Sequence, residues 1–452
     1  MITRMADQDD ASSRPGATAA LRIRRAARRR ALRLGSAAAS SLLMTGALIV
    51  SAPAAVADPP PAPALTALPF LPGDWYSEPT GLNEEGAISG YSTPSDGIYS
   101  ANYRDRPVRW EPDNTITALP PLPGDLYGRA VAINDAGTTA GYSWPAATAR
   151  SARQGHAVRW DSDGGSTPLA PLAGDTFSRP VAVNDAGAVV GTSWSGDEVS
   201  PDEGHGVLWR PDGTPLLLPA LPGDAYSVPT AVNGAGEAVG YSWNGRLSAT
   251  HAVKWSPGGA VTDLGALARA RWPQHDASDA FGINDSGTVI GQAFKAYPAS
   301  RSEPHAVKWE NDGTITDLGP DAGAASISPQ GLMAGSRRLD GAVWQTAVRW
   351  APDGTATALT PPVGRSADAT AFGVNDAGTV VGHSWSGNPS RENQRAMRWG
   401  ADGAGVDLGS APSDPYSSAR FVNSGGTIAG VSIRTPIYTY LAGSHHAVVW
   451  RP

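Results

Sequence analysis

The stretch "INDAGTTAGYSW" (residues 133–144) returns as "VNDAGAVVGTSW" (183–194) and as "VNDAGTVVGHSW" (374–385). It belongs to a unit of about 49 residues that occurs eight times in the chain. Each unit has one glycine near the end of this phrase and one tryptophan further on. The glycines are Gly90, Gly141, Gly191, Gly240, Gly291, Gly335, Gly382 and Gly430, and the tryptophans are Trp110, Trp160, Trp209, Trp255, Trp309, Trp350, Trp399 and Trp450. A period of this length is typical of repeat architectures.

Each unit contains four short runs with β character. In the second unit they read "AVAIN", "TTAGYSW", "HAVRW" and "STPLAPL", with β-branched or aromatic residues at period two. The phrases between the runs, such as Asn134–Gly137 and Pro211–Gly213, place turn-forming residues first and glycine last. This order predicts a type I turn closed by a glycine bulge. We find no amphipathic helix of ordinary length.

Eight units of four antiparallel strands predict an all-β fold, an eight-bladed β-propeller covering residues 64–452. The last unit lacks a fourth strand, whereas "ALTALP" at 64–69 matches the fourth-strand phrase "TITALP" at 115–120. We therefore expect the N-terminal strand to complete the last blade and close the ring, which removes an exposed sheet edge. Seven blades or an irregular array are the alternatives. The sixth unit, with Ser328 in place of the repeated Asn, is the candidate for a distorted blade.

The first 57 residues read as an export signal. A basic stretch is followed by a small and apolar one that ends in Ala55-Val56-Ala57, which fits the small-residue rule for cleavage. Residues 58–63 form a proline-rich linker, "DPPPAP". The general secretory route and the twin-arginine route both remain open. We expect a secreted, extracellular protein, whose stability comes from burial because it has no cysteine for disulfides.

The charge of the chain argues against nucleic acid as a partner. Of its 35 basic and 42 acidic side chains, 9 and 3 lie in the signal, so the mature chain has a net charge of −13. Phosphate binding requires clustered positive charge instead. No stretch after the signal approaches the roughly 20 apolar residues of a membrane span. We expect a monomer without a membrane span.

The phrases "INDSGTVIG", "HAVKW" and "TITDLG" resemble the bacterial extracellular repeat family named for its His-Ala-Phe motif, the HAF repeat proteins. Most copies here have Val in place of Phe. The resemblance extends over nearly the whole mature chain. It implies a secreted repeat protein without a settled biochemical activity, and it supplies no catalytic residue.

Histidine begins the third strand in five units, at His156, His205, His251, His305 and His446. Metal ligands must converge on one ion, and one residue per blade on an outer strand does not converge. We interpret these histidines as inter-blade packing residues, each satisfying a neighbouring backbone group. We expect no metal or other cofactor, although the acids described next could hold Ca²⁺.

One face of the predicted propeller collects the residues that could bind a ligand, because it carries the inter-blade loops and the long loops between the second and third strands. Five units place an Asp there, followed two residues later by an aromatic ring: Asp74, Asp125, Asp175, Asp224 and Asp414, with Tyr76, Tyr127, Phe177, Tyr226 and Tyr416. The second strands end there in Trp144, Trp194, Trp243, Phe294 and Trp385. Aromatic rings can stack on sugars or anchor a partner protein. The same residues can instead pack between blades and cap turns, so the unrepeated loops are the better place for specificity.

Three functions are compatible with these patterns. The first is a secreted binding or scaffold module, with a glycan or an extracellular protein on the loop face or at the channel mouth. The second is a polysaccharide-acting hydrolase or lyase, which requires acids at unrepeated positions. The candidate acids are Asp197, Glu198, Asp202, Glu203, Asp276 and Asp279. The third is a structural surface protein with no discrete ligand. No sequence motif of a known hydrolase or nucleotide-binding site is present, so whether the protein is an enzyme stays open.

Overall fold

The computed structural model describes residues 63–94, 103–148, 151, 153–196, 203–245, 249–267, 276–295, 302–338, 344–365, 368–386, 393–434 and 445–452. The export signal at 1–57 and the linker up to residue 62 lie outside the described residues. The candidate acids Asp197, Glu198 and Asp202 lie outside them as well.

The described residues form 32 strands and almost no helix. The strands make eight four-stranded antiparallel sheets, which confirms the predicted eight-bladed propeller. Blade 1 is β2 Tyr76–Leu82, β3 Ile88–Thr93, β4 Arg106–Trp110 and β5 Ile116–Ala118; blade 2 is β6 Tyr127–Ile133, β7 Thr139–Trp144, β8 His156–Trp160 and β9 Ser166–Pro168; blade 3 is β10 Phe177–Val183, β11 Val189–Trp194, β12 His205–Trp209 and β13 Pro215–Leu218; blade 4 is β14 Tyr226–Val232, β15 Ala238–Trp243, β16 Thr250–Trp255 and β17 Val261–Asp263.

The other four blades follow the same order, and the last of them is completed by the first strand of the chain. Blade 5 is β18 Ala277–Ile283, β19 Val289–Lys295, β20 Ser302–Trp309 and β21 Ile315–Pro320; blade 6 is β22 Ala322–Ile327, β23 Met333–Arg338, β24 Gln345–Trp350 and β25 Ala356–Ala358; blade 7 is β26 Ala369–Val374, β27 Val380–Ser384, β28 Arg395–Trp399 and β29 Gly405–Asp407; blade 8 is β30 Tyr416–Val422, β31 Ile428–Ile433, β32 His445–Arg451 and β1 Ala64–Ala67.

The tight turns have the predicted chemistry. In blade 2, Gly137 has a φ of 79°, a left-handed conformation that other residues adopt at a cost. Its N–H donates to the carbonyl of Asn134 at 3.0 Å, and the side-chain oxygen of Asn134 accepts from the N–H of Thr138 at 2.8 Å. Each such turn reverses the chain between the first and second strands of a blade and thereby fixes their register.

The repeated glycine and tryptophan depend on each other. A Cβ added to Gly141 would lie 2.6 Å from Cζ3 of Trp160, which is closer than atoms can approach. The indole of Trp160 is fully buried, and its Nε1 donates to the carbonyl of Pro120, at the end of the preceding blade, at 2.7 Å. The spacing of glycine and tryptophan therefore reflects packing between blades.

The ring closes as predicted. Strand β1 pairs antiparallel with β32, with Ala64 opposite Arg451 and Ala67 opposite Val448. The innermost strand of blade 8, β30, contacts the innermost strand of blade 1, β2. Two chain segments far apart in sequence therefore share one sheet. In this sheet, β1 covers the edge of β32 that would otherwise be unpaired.

A ring of side-chain hydrogen bonds, which we call the turn ring, links the tight turns of successive blades. The side-chain amide of the repeated Asn donates to the backbone carbonyl of the corresponding Asn in the next blade, as from Asn134 to Asn184 at 2.9 Å. The bond from Asn423 to Asn83 at 3.1 Å joins blade 8 to blade 1. Blade 6 keeps four strands with the same bulge, so it is not distorted, but Ser328 has no amide with which to donate to blade 7.

Candidate functional site

The propeller has two different faces. The turn face carries the tight turns, such as 83–87 and 134–138. The loop face is the opposite one, where each innermost strand begins, as at Tyr76 and Tyr127. The segments between the second and third strands also lie at the loop face, which is where the sequence predicts ligand binding.

The repeated aspartates of the loop face already have hydrogen-bond partners within the protein. In blade 2, Oδ2 of Asp125 accepts from Oγ of Ser143 at 2.6 Å and lies 3.0 Å from Nδ1 of His156. Asp175, Asp224 and Asp414 have the same histidine partner in their blades, and Asp74 pairs with Arg106 instead. We call this arrangement the blade clip. The expectation that the histidines bond backbone groups is wrong, because the partner of each is a carboxylate. In four of them this carboxylate is buried and needs donors once it leaves water. Nδ1 of the fifth, His305, lies 2.9 Å from the partly exposed carboxylate of Asp317.

The rings that end the second strands are mostly buried. Trp144, Trp194, Phe294 and Trp385 are each at most 6 % exposed, and Trp243 is half-buried. Nε1 of Trp144 donates to the carbonyl of Tyr103 at 3.1 Å. Tyr127, Phe177, Tyr226 and Tyr416 are half-buried and Tyr76 is buried. Ligand binding by these rings stays a prediction, and their burial is what packing between blades requires.

A different group of polar side chains lies between blades 8 and 1. Glu78 is the third residue of β2, Arg420 lies in β30, and His445 begins β32. Nη1 of Arg420 lies 2.5 Å from one carboxylate oxygen of Glu78. Nδ1 of His445 and the hydroxyl of Tyr76 lie 3.0 Å and 2.6 Å from the other oxygen. We call Tyr76, Glu78, Arg420 and His445 the seam cluster.

The rings of the seam cluster are packed in parallel. Tyr76 stacks on His445 with 5.0 Å between ring centroids and on Tyr91 with 6.2 Å. The side chains of Tyr76, Glu78 and His445 are all buried, whereas a third of the Arg420 side chain is exposed. The stacking holds the imidazole in one orientation, so that its Nδ1 edge faces the carboxylate of Glu78.

The electrostatics of the cluster fix its protonation. Burial alone would raise the pKa of Glu78, but the charge of Arg420 and the hydrogen bonds from His445 and Tyr76 outweigh burial and lower the pKa to about 2. Burial and the negative charge of Glu78 raise the pKa of Tyr76 above its usual range. Glu78 is therefore a carboxylate at neutral pH, and Tyr76 is a neutral phenol that donates to it.

Of the four residues of the seam cluster, only Tyr76 lies at a position where other blades also carry an aromatic ring. Glu78, Arg420 and His445 do not recur in the other blades. At the position of Glu78 the other blades carry Arg129, Arg179, Val228, Asp279, Gly323, Thr370 and Ser418. At the position of His445 they carry Asp105, Gly155, Gly204, Thr250, Pro304, Gln345 and Gln394. These positions lie where neighbouring blades meet near the loop face. They vary, whereas the Asp–His blade clip recurs in four blades and the asparagine bonds of the turn ring recur around the ring except at Ser328.

The next seam has a related but reversed pair. Between blades 1 and 2, Nε of Arg129 lies 2.6 Å from a carboxylate oxygen of Asp105, and the guanidinium of Arg129 lies over the ring of Tyr91 at 4.4 Å. Tyr91 therefore separates the two ion pairs. These two neighbouring seams both carry an unrepeated ion pair.

Sequence reasoning missed Glu78, Arg420 and His445. It searched for acids in the unrepeated loops, and of those in the described residues Asp276 is exposed, Glu203 is half-buried, and Asp279 is buried and accepts from Gln292 at 3.1 Å. The signal was available in the strands, since aligning the eight units reveals His445 directly before the repeated His446. Only the closed ring, however, shows that His445 meets Glu78.

Three cavities lie elsewhere in the described part of the chain. One of about 250 Å³ is the mouth of the channel on the turn face, lined by the turn ring. One of about 400 Å³ lies between blades 4 and 5 beside Trp309, and one of about 530 Å³ lies beside the blade clip of blade 2. Among the described residues no three His, Asp or Glu side chains are grouped so that they could hold a metal ion. None of the helices that were searched in those residues is long and apolar enough to cross a membrane.

Solved structures similar to this chain include several enzymes. A prolyl endopeptidase is 11 % identical, with a TM-score of 0.50, over 80 % of this chain and 55 % of that one. Puromycin hydrolase is 15 % identical, with a TM-score of 0.46, over 83 % of this chain and 63 % of that one. Virginiamycin B lyase from Staphylococcus aureus is 13 % identical, with a TM-score of 0.39, over 70 % of this chain and 94 % of that one. No family model and no curated protein sequence matches the chain.

These likenesses concern the fold alone. All three identities are below one quarter, and the chain spans less than two thirds of the length of the peptidase and of the hydrolase. The function therefore has to be argued from the residues of the site.

Proposed function

We propose that the protein is an extracellular binding module whose ligand is a glycan, bound on the loop face at the seam cluster. The observation that carries this proposal is a contrast between two kinds of polar residue. The repeated Asp and His side chains are paired with each other in the blade clips. The unrepeated Arg420 keeps a third of its side chain exposed beside a buried, preoriented carboxylate and imidazole.

A stacking platform lies directly next to the cluster in sequence. Trp75 precedes Tyr76 and is 52 % exposed. A large aromatic ring in water has a free energy cost that a ligand with an apolar face relieves. Sugar rings combine such a face with hydroxyl groups, which suit charged hydrogen-bond partners like Arg420. A glycan therefore fits both features at once.

A protein ligand is supported less well. Interfaces between proteins centre on contiguous apolar and aromatic anchors. In the part of the chain that the structure describes, the exposed large hydrophobic residues are few and scattered over the blades: Trp75, Leu126, Val181, Leu217 and Val363. Export of the chain, by the segment at 1–57, belongs to the same proposal and follows from the sequence.

The test replaces Trp75 and uses the next blade as its control. Trp75 and Leu126 each follow the aspartate of their blade clip, and both are exposed. On a glycan array followed by calorimetry with the best glycan, Trp75→Ala should weaken binding about tenfold, or ~1.4 kcal/mol. Leu126→Ala should bind like the unchanged protein. Equal affinity of all three proteins, or retention of a protein partner and of no glycan, would contradict the proposal.

A further inference from the structure

One ring nitrogen of His445 makes no hydrogen bond to any residue that the structure describes. Its Nδ1 lies 3.0 Å from the Glu78 carboxylate and 3.1 Å from the hydroxyl of Tyr76. A carboxylate accepts hydrogen bonds, so Nδ1 donates to Glu78, and in the neutral imidazole the lone pair then lies on Nε2. Nε2 bonds none of the described residues, and it does not belong to their fully buried unsatisfied atoms. The histidine itself is 7 % exposed.

The same orientation principle serves general bases in enzymes. A carboxylate that binds one ring nitrogen selects the tautomer, holds the ring and stabilises the imidazolium that forms when the other nitrogen takes a proton. Glu78 is placed to do all three. The phenol of Tyr76 donates to the same oxygen at 2.6 Å, so the carboxylate is held from two sides.

Arg420 adds a positive charge beside this base. Glu78 is its only ionic partner among the described residues, and one guanidinium has more donors than one carboxylate oxygen can accept. None of its nitrogens belongs to the fully buried unsatisfied atoms. The remaining donors can therefore bind an anionic group of a ligand, and a planar carboxylate matches their geometry best.

We infer that His445 is the general base of a β-elimination that cleaves an acidic, uronate-containing glycan at the seam cluster. This inference rests on the proposed function, because the same surface must first bind the glycan. The seam cluster supplies the two groups that such a reaction needs. Arg420 pairs with the sugar carboxylate and makes the neighbouring C–H more acidic, and Nε2 of His445 accepts that proton.

The elimination balances without a co-reactant. Nε2 removes the proton from C5, beside the carboxylate; the C5–H electron pair forms a C4=C5 double bond; and the C4–O bond breaks with its electron pair on oxygen. The imidazolium, stabilised by Glu78, returns the proton to that oxygen. One chain end becomes an unsaturated uronide and the other a free hydroxyl, and His445 regains its neutral form.

The histidines of the blade clips do not share this setting. Nδ1 of His156 also lies beside a carboxylate, that of Asp125. This Asp–His pair, however, is a blade clip, and the same pair occurs in four blades. In blade 2, the position that corresponds to Arg420 carries Val131, which has no charge. Because the clip recurs, we attribute it to the stability of the propeller. His156 is therefore a matched control for His445.

The experiment uses the mature full-length chain with polygalacturonate, alginate and hyaluronan. Product is followed by the ultraviolet absorbance of the unsaturated uronide, and binding by retardation in gels that contain each polymer. We expect absorbance to rise with at least one polymer. His445→Gln should slow that rise about 100-fold or more while retardation stays within about twofold. His156→Gln should form unsaturated product at the unchanged rate and should have a lower free energy of unfolding.

The outcomes separate the two proposals. Retardation without unsaturated product, or an unchanged rate in His445→Gln, would overturn the catalytic inference and leave glycan binding intact. New reducing ends without ultraviolet absorbance would show hydrolysis and would also overturn the elimination. Absence of retardation with all three polymers, together with no glycan bound on the array, would overturn the proposed function and the inference built on it.

Discussion

Glu78 shows how one residue can be both buried and charged. A carboxylate moved out of water loses hydration, and this loss is tolerated only when donors replace the water. Here Arg420, His445 and Tyr76 supply these donors from two blades. Their combined effect outweighs burial and lowers the pKa of Glu78 to about 2, from an ordinary value of 4.5.

This pKa makes stability depend on pH in a defined direction. Because the folded state lowers the pKa of Glu78, its contribution is fully present above pH 4.5 and is lost as the pH falls toward 2. The difference corresponds to roughly 3 kcal/mol at neutral pH. We expect Glu78→Gln to lower the free energy of unfolding by about this amount at pH 7, as measured by urea denaturation. The gap between the two proteins should narrow as the pH falls from 5 to 3.

A gap that is constant over this range would mean that the charge of Glu78 does not stabilise the fold. Glu111→Gln is a suitable control, since Glu111 also pairs with an arginine, Arg109, at 2.8 Å but is itself more exposed. We expect a smaller effect there, because Glu111 keeps part of its hydration in the folded state and Arg109 also donates to the carbonyls of Gly137 and Ser162.

The blades are held to each other by two repeated devices. In seven of the eight blades the indole nitrogen of the repeated tryptophan donates to a backbone carbonyl at the end of the preceding blade, and in blades 1, 2 and 5 the ring lies directly against the glycine of its own second strand. The turn ring then links the asparagines of successive blades. Ser328 interrupts this ring between blades 6 and 7, where a backbone N–H of Gln330 still donates to Asp376 at 2.9 Å. The sixth blade therefore lacks one link and keeps its shape.

The missing link can be restored. Ser328→Asn should let a side-chain amide reach the carbonyl of Asn375 and should raise the free energy of unfolding by about 1 kcal/mol, the net value of one hydrogen bond. Asn134→Ser removes the corresponding link from a complete part of the ring and should lower it by a similar amount. Guanidinium denaturation of both variants measures the two changes. A loss of stability in Ser328→Asn as large as that in Asn134→Ser would contradict this account of the turn ring.

Most of the fold was predictable from the sequence, because it repeats. Eight copies of the turn phrase and of the tryptophan fix strand number and blade number, and "ALTALP" at 64–69 identifies the strand that closes the ring. The blade clips were half predictable. The recurrence of Asp and His indicated a role in the frame, but their bond depends on a contact between residues about 30 positions apart, such as Asp125 and His156.

The seam cluster could not be predicted by the same reasoning. Glu78 and His445 are 367 positions apart. The local sequence around neither residue predicts a contact with the other. They meet because the ring closes, so that the first blade packs against the last. A residue pattern that occurs once gives no periodic signal. Alignment of the eight units can single out His445, but its contact with Glu78 is visible only in the closed ring.

We propose that the repeated polar residues stabilise the propeller and that the seam cluster binds the ligand. One paired measurement tests this directly: the free energy of unfolding and the retardation by acidic polysaccharide, compared for Asp125→Asn in a blade clip and Arg420→Ala in the cluster. We predict that Asp125→Asn loses roughly 1–3 kcal/mol of stability and keeps its retardation, whereas Arg420→Ala loses its retardation while remaining folded at neutral pH. Loss of retardation in Asp125→Asn together with full retardation in Arg420→Ala would contradict the account.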